Sequence, residues 1–145
     1  MSDSRYADYV VSDLIVPEEK KVIQKEYDKY ARRILWMDKH VIPDAFHMNT
    51  AWYLKAAQTL ENVPHVHEND DEIIGFFGNN PDDPYDLGGE IEIWLEDELH
   101  VITRTAMIFV PAGMKHCPLV LRRVDRPIFH FTTVPGTQYI KEEKD

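Results

Sequence analysis

From Ile34 onward the chain is cut into apolar runs of three to nine residues, and nearly every cut is made by glycine, proline or acidic side chains. That spacing is the strongest constraint on the fold. Runs this short are strand-sized, and no helical segment stands between them as a parallel sheet would require. The expected strands are Ile34 to Met37, Phe46 to Leu54, Pro64 to His67, Glu72 to Phe77, Glu90 to Leu95, Val101 to Thr103, Ala106 to Val110, His116 to Arg122 and Ile128 to Val134. The turns between them fall at Pro43-Asp44, Glu68 to Asp71, Asn79 to Gly89, Pro111-Ala112-Gly113 and Asp125 to Pro127. Many short strands without intervening helices read as an antiparallel sandwich or barrel, an all-β fold. Ile91, Ile93 and Leu95 alternate with Glu90, Glu92 and Glu96, the pattern of a half-buried strand.

Upstream the period changes. Pro17 followed by Glu18-Glu19 has the form of a first helical turn, with acids at the positive end of the dipole. Ile23, Tyr27, Tyr30, Ala31 and Ile34 then recur at offsets of 4, 7, 8 and 11. This predicts one helix from about Glu18 to Arg33, packed outside the main body as a lid or oligomer contact. The expected division is an arm over 1–45 with that helix and a short strand, a barrel over 46–134, and a tail over 135–145.

Composition narrows the function. A chain of 145 residues fits one domain with a real core. Acidic groups outnumber basic ones 26 to 16, a net charge of −10, which repels phosphate backbones and anionic membranes. Neither nucleic-acid nor membrane binding is expected, and no apolar run is long enough to span a bilayer. The single cysteine, Cys117, and a polar start without a secretory pattern suggest the cytoplasm. No phosphate loop, serine-hydrolase elbow or Cys-x-x-Cys pair is present.

The residues that carry chemistry are histidines. His65 and His67 lie two apart on an expected strand, so both imidazoles share a face. Glu72 follows five residues later, which strict alternation places on the wrong face, but the polar stretch Glu68 to Asp71 offers a turn that resets parity. Asp71 is a rival carboxylate one residue earlier. A further ligand must come from elsewhere in the chain, and His116 follows the tight turn Pro111-Ala112-Gly113. Three neutral imidazoles and a carboxylate suit one divalent transition ion per chain: Fe, Mn, Ni, Co, Cu or Zn.

Two segments resemble the paired motifs of the cupin superfamily. His65-Val66-His67, with Glu72 five residues on and Gly78 shortly after, is similar to the first, and Pro111-Ala112-Gly113-Met114-Lys115-His116 to the second. The resemblance covers roughly residues 46 to 134. It implies a double-stranded jelly-roll β-barrel, here with an N-terminal helical arm, and metal ligation by His65, His67, Glu72 and His116. The sequence departs from the pattern at Thr59 and Thr105, where glycine is usual, and at Val120, where asparagine is usual. These positions shape turns or contacts and do not bind metal.

Other candidates surround that set. His130, between Phe129 and Phe131, becomes a proton relay if it faces inward. His47 shares a face with Asn49, Ala51 and Tyr53, and Phe76 shares one with Glu72, which makes His47, Tyr53 and Phe76 candidate substrate contacts. Arg122 has the parity of His116 and is a candidate contact for a substrate carboxylate, set against the plainer reading of an exposed strand-end arginine. Cys117, next to His116, is expected to face the other way, as a small buried hydrophobe. Asp82, Asp83 and Asp86 form a solvated loop, a candidate lid over the barrel mouth.

The expected function is a metalloenzyme acting on a small oxygen-rich organic substrate, with dioxygenase chemistry ahead of decarboxylase, isomerase or lyase chemistry. A non-catalytic metal-dependent binding or sensor protein is the alternative. A homodimer is expected from the edge strands and the apolar side of the helix.

Overall fold

The computed structural model describes residues 5–137 and 140–143. Residues 1–4 of the expected arm, and 138–139 and 144–145 of the expected tail, lie outside the described residues. Among the described residues, in chain order, a 3-10 turn (Ala7–Tyr9) precedes two short α-helices, α1 (Glu18–Lys21) and α2 (Gln24–Tyr27), and eleven strands. These are β1 (Ala31–Met37), β2 (His47–Tyr53), β3 (Ala57–Gln58), β4 (His65–Val66), β5 (Glu72–Phe77), β6 (Asp86–Leu95), β7 (Glu98–Arg104), β8 (Ala106–Val110), β9 (His116–Val124), β10 (Ile128–Val134) and β11 (Glu142–Glu143). One antiparallel sheet runs β1-β2-β10-β5-β8 and the other β11-β4-β9-β6-β7, with β3 paired on β9.

The core lies between the sheets. Ala51, Tyr53, Ile74, Phe76 and Ile128 come from the first sheet, and Leu87, Ile91, Ile93, Leu119 and Leu121 from the second. The alternation expected along β5 is present: Glu72, Ile74 and Phe76 are buried while Ile73 is exposed. β5, β8 and β10 have the expected bounds. β6 begins four residues early, so the last four residues of the expected 79–89 loop are sheet. Gly78 permits this, because a Cβ there would lie 1.9 Å from the Asp86 carbonyl oxygen. Asp86 also accepts hydrogen bonds from Asn80, Gly88 and Arg126. No residue of that segment lines the inner cavity, so it is not a lid over it.

The single helix expected from Glu18 to Arg33 is not formed. Two four-residue turns stand in its place, and the chain is already a strand at Ala31. In a helix the Tyr30 carbonyl would accept from Ile34. Here it accepts from Leu54 and Lys55, at 2.8 and 3.3 Å, and β1 satisfies its backbone against β2. The apolar residues that matched a helical period are divided between a turn and a strand. Tyr27 and Tyr30 are buried in the main core, so this segment is an inner wall and not an external arm. Among the described residues no helix is long and apolar enough to cross a membrane.

Candidate metal centre

Four buried donors meet between the sheets. β4 and β9 pair with His65 opposite His116, and His67 follows directly after the end of β4. One ring nitrogen from each of His65, His67 and His116 lies within 4.8 Å of the others. Glu72 reaches them from the opposing sheet: its Oε1 is 3.2 Å from His67 Nε2 and 3.1 Å from His116 Nε2. The turn over 68–71 therefore carries the chain from one sheet to the other, which is how Glu72 recovers the facing parity. Asp71 has a different task. Its Oδ1 accepts from Ala112 N, at 2.9 Å, and Gly113 N donates to the His67 carbonyl, so the turn before His116 is tied to the His67 strand end. Gly113 sits at φ +83°, where a side chain would be strained.

The backbone sets the tautomers. Nδ1 of His65 lies 3.0 Å from Val63 O, Nδ1 of His116 lies 3.1 Å from Met114 O, and Nδ1 of His67 bonds Ile140 O. A carbonyl only accepts, so each Nδ1 carries the hydrogen and each neutral Nε2 turns a lone pair toward the cluster. An ionised carboxylate is also acceptor-only. Nε2 of His116 and Oε1 of Glu72 are thus two acceptors in contact, a repulsive pair unless a proton or cation lies between them. Burial works against the Glu72 charge, yet where a proton occupies that position the hydrogen bonds from the His116 and His67 edges outweigh burial and hold the Glu72 pKa at about 2. Burial lowers the His65 pKa to about 4, and for His67 the Glu72 carboxylate outweighs burial and raises it. The donor set fits a first-row divalent ion, with each ligating histidine oriented by a carbonyl on its far nitrogen.

Glu61, His65 and Cys117 also bring donor atoms within 4.8 Å. That set is poorer. Burial pushes the Cys117 thiol up and keeps it protonated, and Glu61 is held by Lys141 at 2.9 Å.

Beside the four donors is a cavity of about 60 Å³, lined by His65, Glu72 and His116 and by residues of β1, β2, β10 and the α1–α2 segment. His47 and Tyr53 line it as expected. His130 lines it too, with Nδ1 on Gly75 O and its ring stacked on Tyr53 at 4.6 Å and Phe76 at 5.2 Å. Its contacts are aromatic, and it is not brought into the imidazole cluster. Phe76 is fully buried and backs Tyr53 and His130 without lining the cavity.

Arg122 is elsewhere. It is exposed and paired with Glu92 at 2.9 Å on the outer surface. The cause is an irregularity in β9: Leu95 pairs with His116 but Ile93 with Leu119, so one extra residue sits at Cys117-Pro118. The bulge turns both His116 and Cys117 inward and flips the residues after it as far as Leu121. A second irregularity leaves Arg122 unopposed between Leu121 and Arg123, so Arg122 does not share the facing of His116. Cys117 accordingly lines the cavity, against the expectation from simple alternation.

The sequence reading missed Arg33 and Trp36. A second irregularity, between Arg33 and Leu35 in β1, turns both side chains inward to the cavity. Trp36 meets His47 edge-on at 4.9 Å and donates to the buried Asp38 at 2.8 Å.

No protein-family model matches the sequence, and no curated protein matches it either. Solved structures do resemble it. Peruvianin-I, a cysteine peptidase from Thevetia peruviana latex, aligns with a TM-score of 0.59 at 10% identity, over 98% of this chain and 80% of that one. A recombinant oxalate oxidase in complex with glycolate gives 0.56 at 13% identity, over 92% and 62%. A sugar phosphate isomerase from a cupin superfamily, from Silicibacter pomeroyi, gives 0.54 at 14% identity, over 96% and 80%. The chain spans between half and two thirds of the length of the oxalate oxidases it matches. A peptidase, an oxidase and an isomerase on one scaffold show that the likeness is one of architecture, not of reaction. The two facing sheets described above share the fold of these structures, a sugar phosphate isomerase from a cupin superfamily among them.

Proposed function

We propose that the chain is a mononuclear metalloenzyme acting on a small oxygen-rich organic molecule, with His65, His67, Glu72 and His116 as ligands of one divalent transition ion. The supporting observation is the convergence of three imidazoles, each with its far nitrogen fixed by a carbonyl, on one buried carboxylate from the opposite sheet. A bound ion supplies Lewis acidity and, if redox-active, one-electron chemistry with O₂.

The surrounding side chains favour oxygenation over proton-transfer chemistry. A general base works best with a pKa near the operating pH. Burial lowers His47 and His130 to about 4, and it raises Tyr30 to about 12 and Tyr53 well above its ordinary value. These groups stay neutral, so they shape and dry the cavity and are poorly matched as general bases near neutral pH. A dioxygenase reaction is therefore the leading reading, ahead of decarboxylation, isomerisation or lyase chemistry.

Elemental analysis of the purified chain should find close to one transition metal per protein. An oxygen electrode with a panel of diketones, catechols and hydroxy acids should then show metal-dependent O₂ uptake. Product formation without O₂ uptake would replace oxygenation by a non-oxidative reaction. Ligand binding without any product would identify a binding module, and less than a tenth of a metal per chain would remove the enzyme reading.

A further inference from the structure

Among the described residues Arg33 is the one arginine on the cavity wall. Its side chain is 7% exposed, and no carboxylate pairs with it among the described residues. Its one hydrogen bond there is from Nη1 to Asn49 Oδ1, at 2.6 Å, and the buried Nε has no acceptor. The guanidinium lies over the rings of Tyr27, at 4.5 Å, and Trp36, at 5.1 Å. Those rings fix its plane without supplying a counter-charge. A buried guanidinium with an unmet N–H and no counter-charge is costly unless an anion completes it. Its fork matches the two oxygens of a carboxylate.

We infer that Arg33 is the anion-recognition residue of this cavity, and that the molecule held beside the His/Glu cluster is a small carboxylate. The inference deepens the proposed function by naming its substrate class, and it rests on the same cavity. Charge supports it: Lys20 also lines the wall, and of the two lining acids Glu61 is engaged by Lys141 while Glu72 faces His67 and His116. Volume supports it too. About 60 Å³ holds roughly four to six water-sized centres, the size of a two- or three-carbon acid with a hydroxyl or oxo group.

The test uses the full chain loaded with Zn(II), titrated with glycolate and lactate by calorimetry and compared with Arg33→Gln. The wild type should bind at least one of these acids. Arg33→Gln should bind it about tenfold to a hundredfold more weakly, with unchanged metal content. In ¹⁵N spectra of the wild type, one arginine Nε–H signal, absent from Arg33→Lys, should move as the acid is added. This reading decides the matter even if Arg33→Gln does not fold. Equal affinity in a folded Arg33→Gln, no arginine signal that moves, or no binding of either acid overturns the inference. Arg33-dependent binding of the acids by a chain that takes up no metal would keep the anion site and overturn the metal centre instead.

Discussion

At the scale of single residues, the centre depends on acceptors that face one another. Three carbonyls hold the Nδ1 hydrogens of His65, His67 and His116 away from Glu72, so a cation is the group that best relieves the contact. Loss of an orienting partner in such sites weakens metal binding by about tenfold to a hundredfold, so loss of a ligand should cost more. His67→Ala and His116→Ala are each expected to lower metal affinity by more than about a hundredfold, read as metal retained after gel filtration with a weak chelator. Retention at the wild-type level in either variant would remove that residue from the ligand set. These residues were legible in the sequence because a spacing of two on a strand and a long-range partner after a tight turn are local signals. Arg33 was not legible. An inward charge in a strand has no apolar signature, and its run Ala31-Arg32-Arg33-Ile34 also fits the end of a helix.

At the scale of elements, the sequence reading succeeded where strands alternate and failed where they bulge. β5, β8 and β10 were legible because their alternation and flanking turns agree. The extra residues in β1 and β9 break the period of two, which hid the inward turn of Arg33 and Trp36 and sent Arg122 to the outside. The paired segments β3 and β11 are two residues long, too short to carry a pattern. Thr59, which departs from the usual glycine, is explained by its contacts. It is buried, its Oγ1 donates to Leu119 O at 2.7 Å, and it accepts from Glu61 N at 3.1 Å. Thr59→Gly should therefore destabilise the fold, by about 1–3 kcal/mol, because it removes the side-chain hydrogen bonds to Leu119 O and from Glu61 N. Urea unfolding measures this, and an unchanged midpoint would mean those bonds contribute nothing.

At the scale of the whole molecule, several ionisable groups inside one small barrel link stability to pH. In the metal-free protein His47, His65 and His130 have pKa values near 4, chiefly through burial, against an ordinary 6.5. Between those values the unfolded chain binds protons that the folded one does not, so stability falls as pH drops from about 6.5 to about 4. A shift of that size amounts to up to about 3 kcal/mol for each histidine. Glu72, held near 2, extends the loss below its ordinary 4.5. His67, with a raised pKa, acts in the opposite sense: its contribution is present below 6.5 and is lost as pH rises through its folded value. Three groups outweigh one, and urea midpoints should fall steadily from pH 7 to pH 4.5; a flat profile would show that these imidazoles are solvated or already charged. Whether the cluster between the sheets is a metal site is read most directly by X-ray absorption on the chain loaded with one equivalent of Mn(II) or Fe(II). The account predicts outer-shell scattering from three imidazole rings and a first shell of nitrogen and oxygen only. One imidazole or none, or a sulfur at about 2.3 Å pointing to Cys117, would contradict it.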